Sequence, residues 1–266
     1  MNRIFALADL HGESGWLRKF KSHMETIGQP LDSTDTIVLL GDTGLNFFFN
    51  ERDVENKKKF NKIGCNLFLI RGNHEQRPSI VFQNNPMKWH MEEFFGNLVY
   101  VEDAFPNIKY ALDTIAYYNL HGYKTLICPG AYSVDKYYRL AQGWSWFEDE
   151  QLTDREWHDG FQLIQEESPS GRVDIILSHA APSVYVPSDL FLPTVDQSLV
   201  DEKTERKLGF IEQNIKYRLW LWGHYHEYRK YVIHDNSLPL MLFNSIAVDI
   251  EEVLLDPYHF APYVFA

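Results

Sequence analysis

The stretch Leu67-Phe68-Leu69-Ile70-Arg71-Gly72-Asn73-His74-Glu75 decides how this chain is read. Four apolar residues in a row predict a strand buried on both faces. The run breaks at Arg71-Gly72, and polar Asn73, His74 and Glu75 follow at once. Side chains at such a strand end sit in the crevice beyond the carboxyl edge of an open sheet, where α/β proteins place their ligands. Four further apolar runs end in the same manner. Residues 3–8 lead into Asp9-Leu10-His11-Gly12, and 36–40 into Gly41-Asp42-Thr43-Gly44. Residues 173–177 lead into Ser178-His179, and 218–222 into Gly223-His224-Tyr225-His226.

Taken singly, Asp-x-His and Gly-Asp are weak signals, because Asp, His and Gly are ordinary turn residues. Gly-His-x-His is stronger. Two imidazoles at i and i+2 of an extended segment point the same way, a costly arrangement unless they bind something. The order carries the argument. Asp9/His11, Asp42, Asn73/His74, His179 and His224/His226 stand at five separate strand ends. The other histidines (His23, His90, His121, His158, His234 and His259) lie elsewhere and read as surface or core residues.

At 266 residues the chain suits one large domain, 1–266. Apolar residues at 45% and aromatics at 15% are enough to bury a core. The net charge, 25 − 37 = −12, gives no electrostatic help toward duplex DNA or an anionic membrane. Long nucleic acid and membrane partners are therefore disfavoured, and any attraction for a phosphate ester must be local. Cys65 and Cys128 have no CxxC spacing and read as reduced core thiols. Asp9 falls where a signal peptide would be apolar, and no apolar run nears the ~18 residues of a membrane span. The expected compartment is the cytoplasm. The oligomeric state is not legible.

Helices are expected at 13–27, with Trp16, Phe20 and Ile27 as the buried stripe, and at 50–63, 149–167 and 199–215. The first three strand–turn–helix units predict a parallel βαβ core. Residues 98–101, 108–112 and 115–120 read as antiparallel strands, with 124–128 continuing the sheet; 230–234 and 240–248 close the chain. Between them, 130–147 is a long connection rich in Tyr and Trp with two cations, and 184–198 reads as an exposed loop near the site.

In order and over residues 9–226, the blocks Asp9-x-His11, Gly41-Asp42, Gly72-Asn73-His74-Glu75, His179 and Gly223-His224-x-His226 resemble the calcineurin-like metallophosphoesterase superfamily. The resemblance implies an α/β fold, a four-layer α/β/β/α sandwich of two central mixed sheets flanked by helices. It implies Asp9, His11, Asp42 and His226 on one metal ion and Asp42, Asn73, His179 and His224 on a second, with Asp42 bridging. Two divalent ions about 3.5–4 Å apart would hold a bridging hydroxide for in-line attack on phosphorus. Nitrogen and oxygen donors without sulfur suit manganese, the expected metal, with iron or zinc as alternatives. His74 would assist the leaving oxygen, a general-acid task suited to imidazole.

The expected activity is that of a phosphodiesterase or nucleotidase acting on a small phosphoester or nucleotide. Residues 129–150 are the candidate specificity insertion. Lys136 and Arg139, with Asn73, are expected to meet phosphate oxygens, and Tyr132, Trp144 or Trp146 to stack on a base. The competing reading has the aromatics capping the core and the cations facing solvent. A phosphomonoesterase or protein phosphatase is the alternative activity. The protein phosphatase branch carries Asp-Arg-Gly beyond its Gly-Asp, where this chain has Thr43-Gly44-Leu45-Asn46. A non-catalytic metal-bound scaffold is a third reading, opposed by the intact His74 and full ligand set.

Overall fold

A computed structural model describes residues 2–232 and 235–265. The first part of the chain forms β1 (Ile4–Leu7), α1 (Gly15–Thr26), β2 (Thr36–Leu40), α2 (Glu51–Asn61), β3 (Asn66–Ile70), α3 (Pro78–Asn84), β4 (Trp89–Phe94), β5 (Asn97–Glu102) and β6 (Ile108–Tyr110). There follow β7 (Ala116–Leu120), β8 (Tyr123–Cys128), α4 (Lys136–Ala141), α5 (Asp154–Glu167), β9 (Ile175–Ser178), α6 (Lys203–Asn214) and β10 (Leu219–Trp222). The chain closes with β11 (Arg229–Lys230), β12 (Leu238–Met241), β13 (Ile246–Asp249), α7 (Ile250–Leu255) and β14 (Tyr263–Val264).

The strands form two mixed sheets, ordered β14-β13-β1-β2-β3-β6-β5-β4 and β11-β12-β10-β9-β8-β7. Alternation of side chains along each strand divides the apolar residues into three layers. Ala6, Val38 and Phe68 of the first sheet meet Ile127, Leu177 and Leu221 of the second in one buried cluster. The opposite face of the first sheet (Phe5, Leu39, Leu67) packs under Leu17 and Phe20 of α1 and Phe60 of α2. The opposite face of the second (Leu126, Ile176, Trp220) packs under Trp157 of α5 and Leu208 of α6. Helix, sheet, sheet, helix: these are the four expected layers.

β1, β2 and β3 are mutually parallel, as are β8, β9, β10 and β12. The carboxyl ends of β1, β2, β3, β9 and β10 therefore deliver their loops to one edge of the sandwich. That edge is where the five Asp/His clusters lie.

Several expectations are corrected. Residues 108–112 pair antiparallel with β5 but parallel with β3. Residues 115–120 leave that sheet: β7 opens the second one, and 124–128 continues it as β8 between β7 and β9. The expected strand 240–248 is two strands in different sheets, and α3 and β4 occupy a stretch, 78–94, for which the sequence predicts no element. Of the expected strand 230–234, Ile233 and His234 lie outside the described residues. The buried stripe of α1 is Leu17, Phe20 and Met24; Trp16 is half-buried and Ile27 is exposed. α5 starts five residues later than expected because Thr153 and Glu156 form a reciprocal capping box. Cys65 and Cys128 are buried and unpaired, and burial pushes the Cys65 thiol up to about 12. Among the described residues no helix is long and apolar enough to cross a membrane.

Candidate metal centre

The loops that carry the cluster are bound to one another through backbone. Asp9 N–H donates to Gly41 O (3.2 Å), His11 N–H to Asp42 O (2.7 Å) and Gly12 N–H to Thr43 O (2.7 Å). His224 N–H reaches both oxygens of Asp9 at 3.0 Å, and His74 N–H reaches Asp42 Oδ1 at 2.9 Å. Glu75 is buried between two loops, where its carboxylate accepts from Thr43 N–H, Thr43 Oγ1 and Gly72 N–H. A Cβ at Gly72 would land on the Asp42 carboxylate, so only glycine allows β3 to approach so closely.

Five of the candidate ligands hold left-handed backbone: Asp9 (φ 56°), His11 (46°), Asp42 (50°), His224 (75°) and His226 (56°). Each such residue costs of order 1 kcal/mol, and clusters of them occur where a site is preorganised. The turns aim the side chains inward. Asp9, His11 and His226 form one group able to hold an ion, and Asp42, His179 and His224 another, with ligand atoms inside 4.8 Å in each. A third grouping joins His11, Asp42 and His74. His11 Nε2 lies 2.9 Å from His226 Nε2, while Asp42 is 3.3 Å from His179 Nε2 and 3.7 Å from His74 Nε2.

The donor chemistry fits divalent metal. His179 Nδ1 is 2.7 Å from Leu40 O, so the ring donates there and leaves Nε2 free to ligate, the usual outer support of a metal-bound histidine. Asn73 Nδ2 donates to Ser133 Oγ at 2.9 Å, which turns its Oδ1 toward His179. Asp9 is 0% exposed, and burial, with His179 opposing, pushes its carboxyl up to about 8. Such a buried acid in a cluster of imidazoles lacks a counter-ion that a dication would provide. Burial opposes ionisation of Asp42 too, but His179 and His74 outweigh it and hold that carboxyl well below its ordinary range. His179 is pushed up to about 9, because Asp42 overcomes the effect of burial.

All eight residues of the expected metal and leaving-group set are thus brought together, from five strand ends. The calcineurin-like phosphoesterase profile matches residues 2–228. The chain belongs to that family. This calcineurin-like phosphoesterase is a metal-dependent enzyme of a family that generally binds two divalent ions. Among solved structures it resembles the protein TT1561 of Thermus thermophilus (14% identity, 99% of each chain, TM-score 0.55), a likeness of fold. It also resembles a dimetal phosphatase from Danio rerio (11%, 91% of this chain and 87% of that one, TM-score 0.49). An archaeal phosphodiesterase has 12% identity, 99% coverage of each chain and a TM-score of 0.40. Among curated proteins none matches the chain.

Residues 130–147 are placed differently from the expectation. Arg139 is 1% exposed, not solvent-facing and not on the cavity wall; it donates to Asp135 Oδ1 (3.0 Å) and to Ser133 Oγ. Lys136 Nζ sits 3.8 Å from the ring centroid of Trp146 and is likewise off the wall. The phosphoesterase has these two cations tied to their own segment, and of its aromatics Tyr132 lines the cavity. The residues that sequence reasoning missed are Ser133 and Glu150, which hold Asn73 from behind. Ser133 gives its single proton to Glu150 Oε2 and accepts from Asn73 and Arg139. Nothing in the local pattern marks them, because their partners lie up to 60 residues away.

Proposed function

We propose that this phosphoesterase hydrolyses a small phosphodiester or nucleotide. The observation that supports this most is Asp42, placed between an Asp9/His11/His226 group and a His179/His224 group with Asn73 beside it. Asp9, His11, Asp42 and His226 would hold one ion and Asp42, Asn73, His179 and His224 the other. When bound, two such ions would supply Lewis acidity toward the phosphoryl oxygens and a nucleophile drawn from water. Manganese is the metal we infer from the nitrogen and oxygen donors, with iron or zinc as substitutes.

The chain's own groups divide the remaining work. His74 lines the cavity next to Asp42 and gives its proton to the departing ester oxygen. Asn73 would hold an ion through Oδ1, and the second hydrogen of its Nδ2 is left for a phosphoryl oxygen. Residues 129–150 serve the site from behind: Arg139 positions Ser133 and so Asn73, in place of a direct phosphate contact. The folded unit is one domain, and the two buried free thiols suit a reducing, cytoplasmic compartment.

Hydrolysis of bis-p-nitrophenyl phosphate and p-nitrophenyl phosphate by manganese-loaded protein tests this reading. Faster diester turnover, abolished in His74→Ala, is expected. Faster monoester turnover would favour the phosphomonoesterase alternative, and no turnover with two metals bound would favour a scaffold. In oxygen-18 water the phosphate product should carry one label per turnover.

A further inference from the structure

The cavity in front of the metal centre is larger than a phosphoryl group needs, about 550 Å³. Its inner end is the ligand cluster. Its outer wall is the connection between β9 and α6, which the sequence predicts as a loop near the site. That wall is apolar, built from Val186, Leu190, Phe191, Leu192, Val195 and Val200. No lysine or arginine is among the described residues that line the cavity. Besides Asp42, its carboxyl groups are Asp135, Glu202 and Glu205.

Two of these three are already paired. Asp135 takes Arg139 at 3.0 Å, and Glu202 takes Arg206 at 2.9 Å. Glu205, on α6, has no such cation among the described residues. It is 8% exposed, and its Oε2 is shielded from water without a hydrogen-bond partner. The hydroxyl of Tyr225, on the same cavity wall, is shielded and unpartnered too. A buried polar atom left unsatisfied costs of order 1–3 kcal/mol, and a ligand that satisfies it recovers that cost on binding. Burial pushes the Glu205 carboxyl up to about 7, so a cation arriving beside it would readily ionise it.

We propose that the cavity beside the ligand cluster binds the organic arm of the phosphoester, and that this arm is apolar and carries an amine. The apolar wall desolvates the arm, while Glu205 and the Tyr225 hydroxyl take up the ammonium. An arm ending in a second anion meets carboxyl groups and no free cation, and is rejected. The inference rests on the phosphoesterase reading of the metal centre and narrows its substrate class.

Calorimetric binding to manganese-loaded protein of three phosphonates of equal chain length, ending in methyl, amine and carboxylate, tests it. The amine-ended compound should bind tightest, by about tenfold or more over the carboxylate-ended one. In Glu205→Gln the amine-to-methyl ratio should collapse toward one, a ratio read within each protein and so independent of any loss common to all ligands. Tyr225→Phe should lower the same ratio by a smaller factor. Equal affinity for amine and carboxylate ends in the wild type would overturn the proposal. So would failure of all three to bind while p-nitrophenyl esters are still hydrolysed. Absence of turnover with the amine preference intact would instead contradict the hydrolytic reading and leave the arm's chemistry supported.

Discussion

Asn73 Nδ2 donates to Ser133 Oγ at 2.9 Å, and this bond fixes which end of the Asn73 amide faces the metal centre. Ser133 has one proton, and Glu150 takes it, so toward Asn73 the hydroxyl can only accept. The amide must present its NH₂ to Ser133 and its oxygen to His179. Ser133→Ala removes that constraint. Affinity for the metal should fall about 10- to 100-fold, the size seen when an outer partner of a ligand is lost. Titration of metal-free protein followed by calorimetry reads this directly; unchanged affinity would show that Ser133 does not hold the amide.

Arg139 supports the same array from inside the protein. Arg139→Ala should lower stability by about 3 kcal/mol, because it empties a fully buried site and leaves Ser133 with one partner fewer. For a chain of this size that is about 5–10 °C in Tm. A KM increase at unchanged Tm and unchanged metal content would return Arg139 to the role of a phosphate contact.

Gly72→Ala should fold but bind metal poorly. The new Cβ would collide with the Asp42 carboxylate, the one group shared by both ligand sets. Near-native circular dichroism together with loss of bound manganese is the expected pair of results. Full metal content in the variant would mean that the β3 turn relaxes without moving Asp42.

Metal-free protein should lose stability as pH rises from about 7 to about 9. The Asp9 carboxyl, raised by burial, keeps its proton up to about 8 when folded, whereas the unfolded chain releases it near 3.8. His179, raised to about 9 through Asp42 in spite of its burial, keeps its proton above the 6.5 of the unfolded chain. In both cases the native state binds more protons than the unfolded state across this window, so stability falls with pH. A dication replaces those protons, so the rise in Tm on adding manganese should grow with pH. Thermal melts with chelator and with manganese at both pH values test this; a chelated protein that gains stability toward pH 9 would contradict it.

Most of the site was legible because its signal is local. A buried parallel strand needs an uninterrupted apolar run, so Asp9, Asp42, Asn73, His179 and His224 stand out as polar residues within three positions of the ends of five such runs. What sequence could not give is what depends on distant pairing. β6 reads as an antiparallel strand until β3 is seen beside it, and β7 gives no sign that it starts a second sheet. Arg139 reads as a free cation because its partners Ser133 and Asp135 are ordinary polar residues nearby, and only the fold buries Ser133 against Glu150 and Asn73. Glu205 looks like one more charge on an amphipathic helix, and only the fold shows it buried on the cavity wall.

The most direct test of the two-metal centre is metal content by mass spectrometry, after chelation, reloading with manganese and removal of excess. Wild-type protein should retain about two ions per chain. Asp42→Asn, which weakens the ligand shared by both groups, should retain fewer than one, while Asp9→Asn keeps about one. One ion or none in the wild type, or two ions in Asp42→Asn, would contradict a shared dinuclear site.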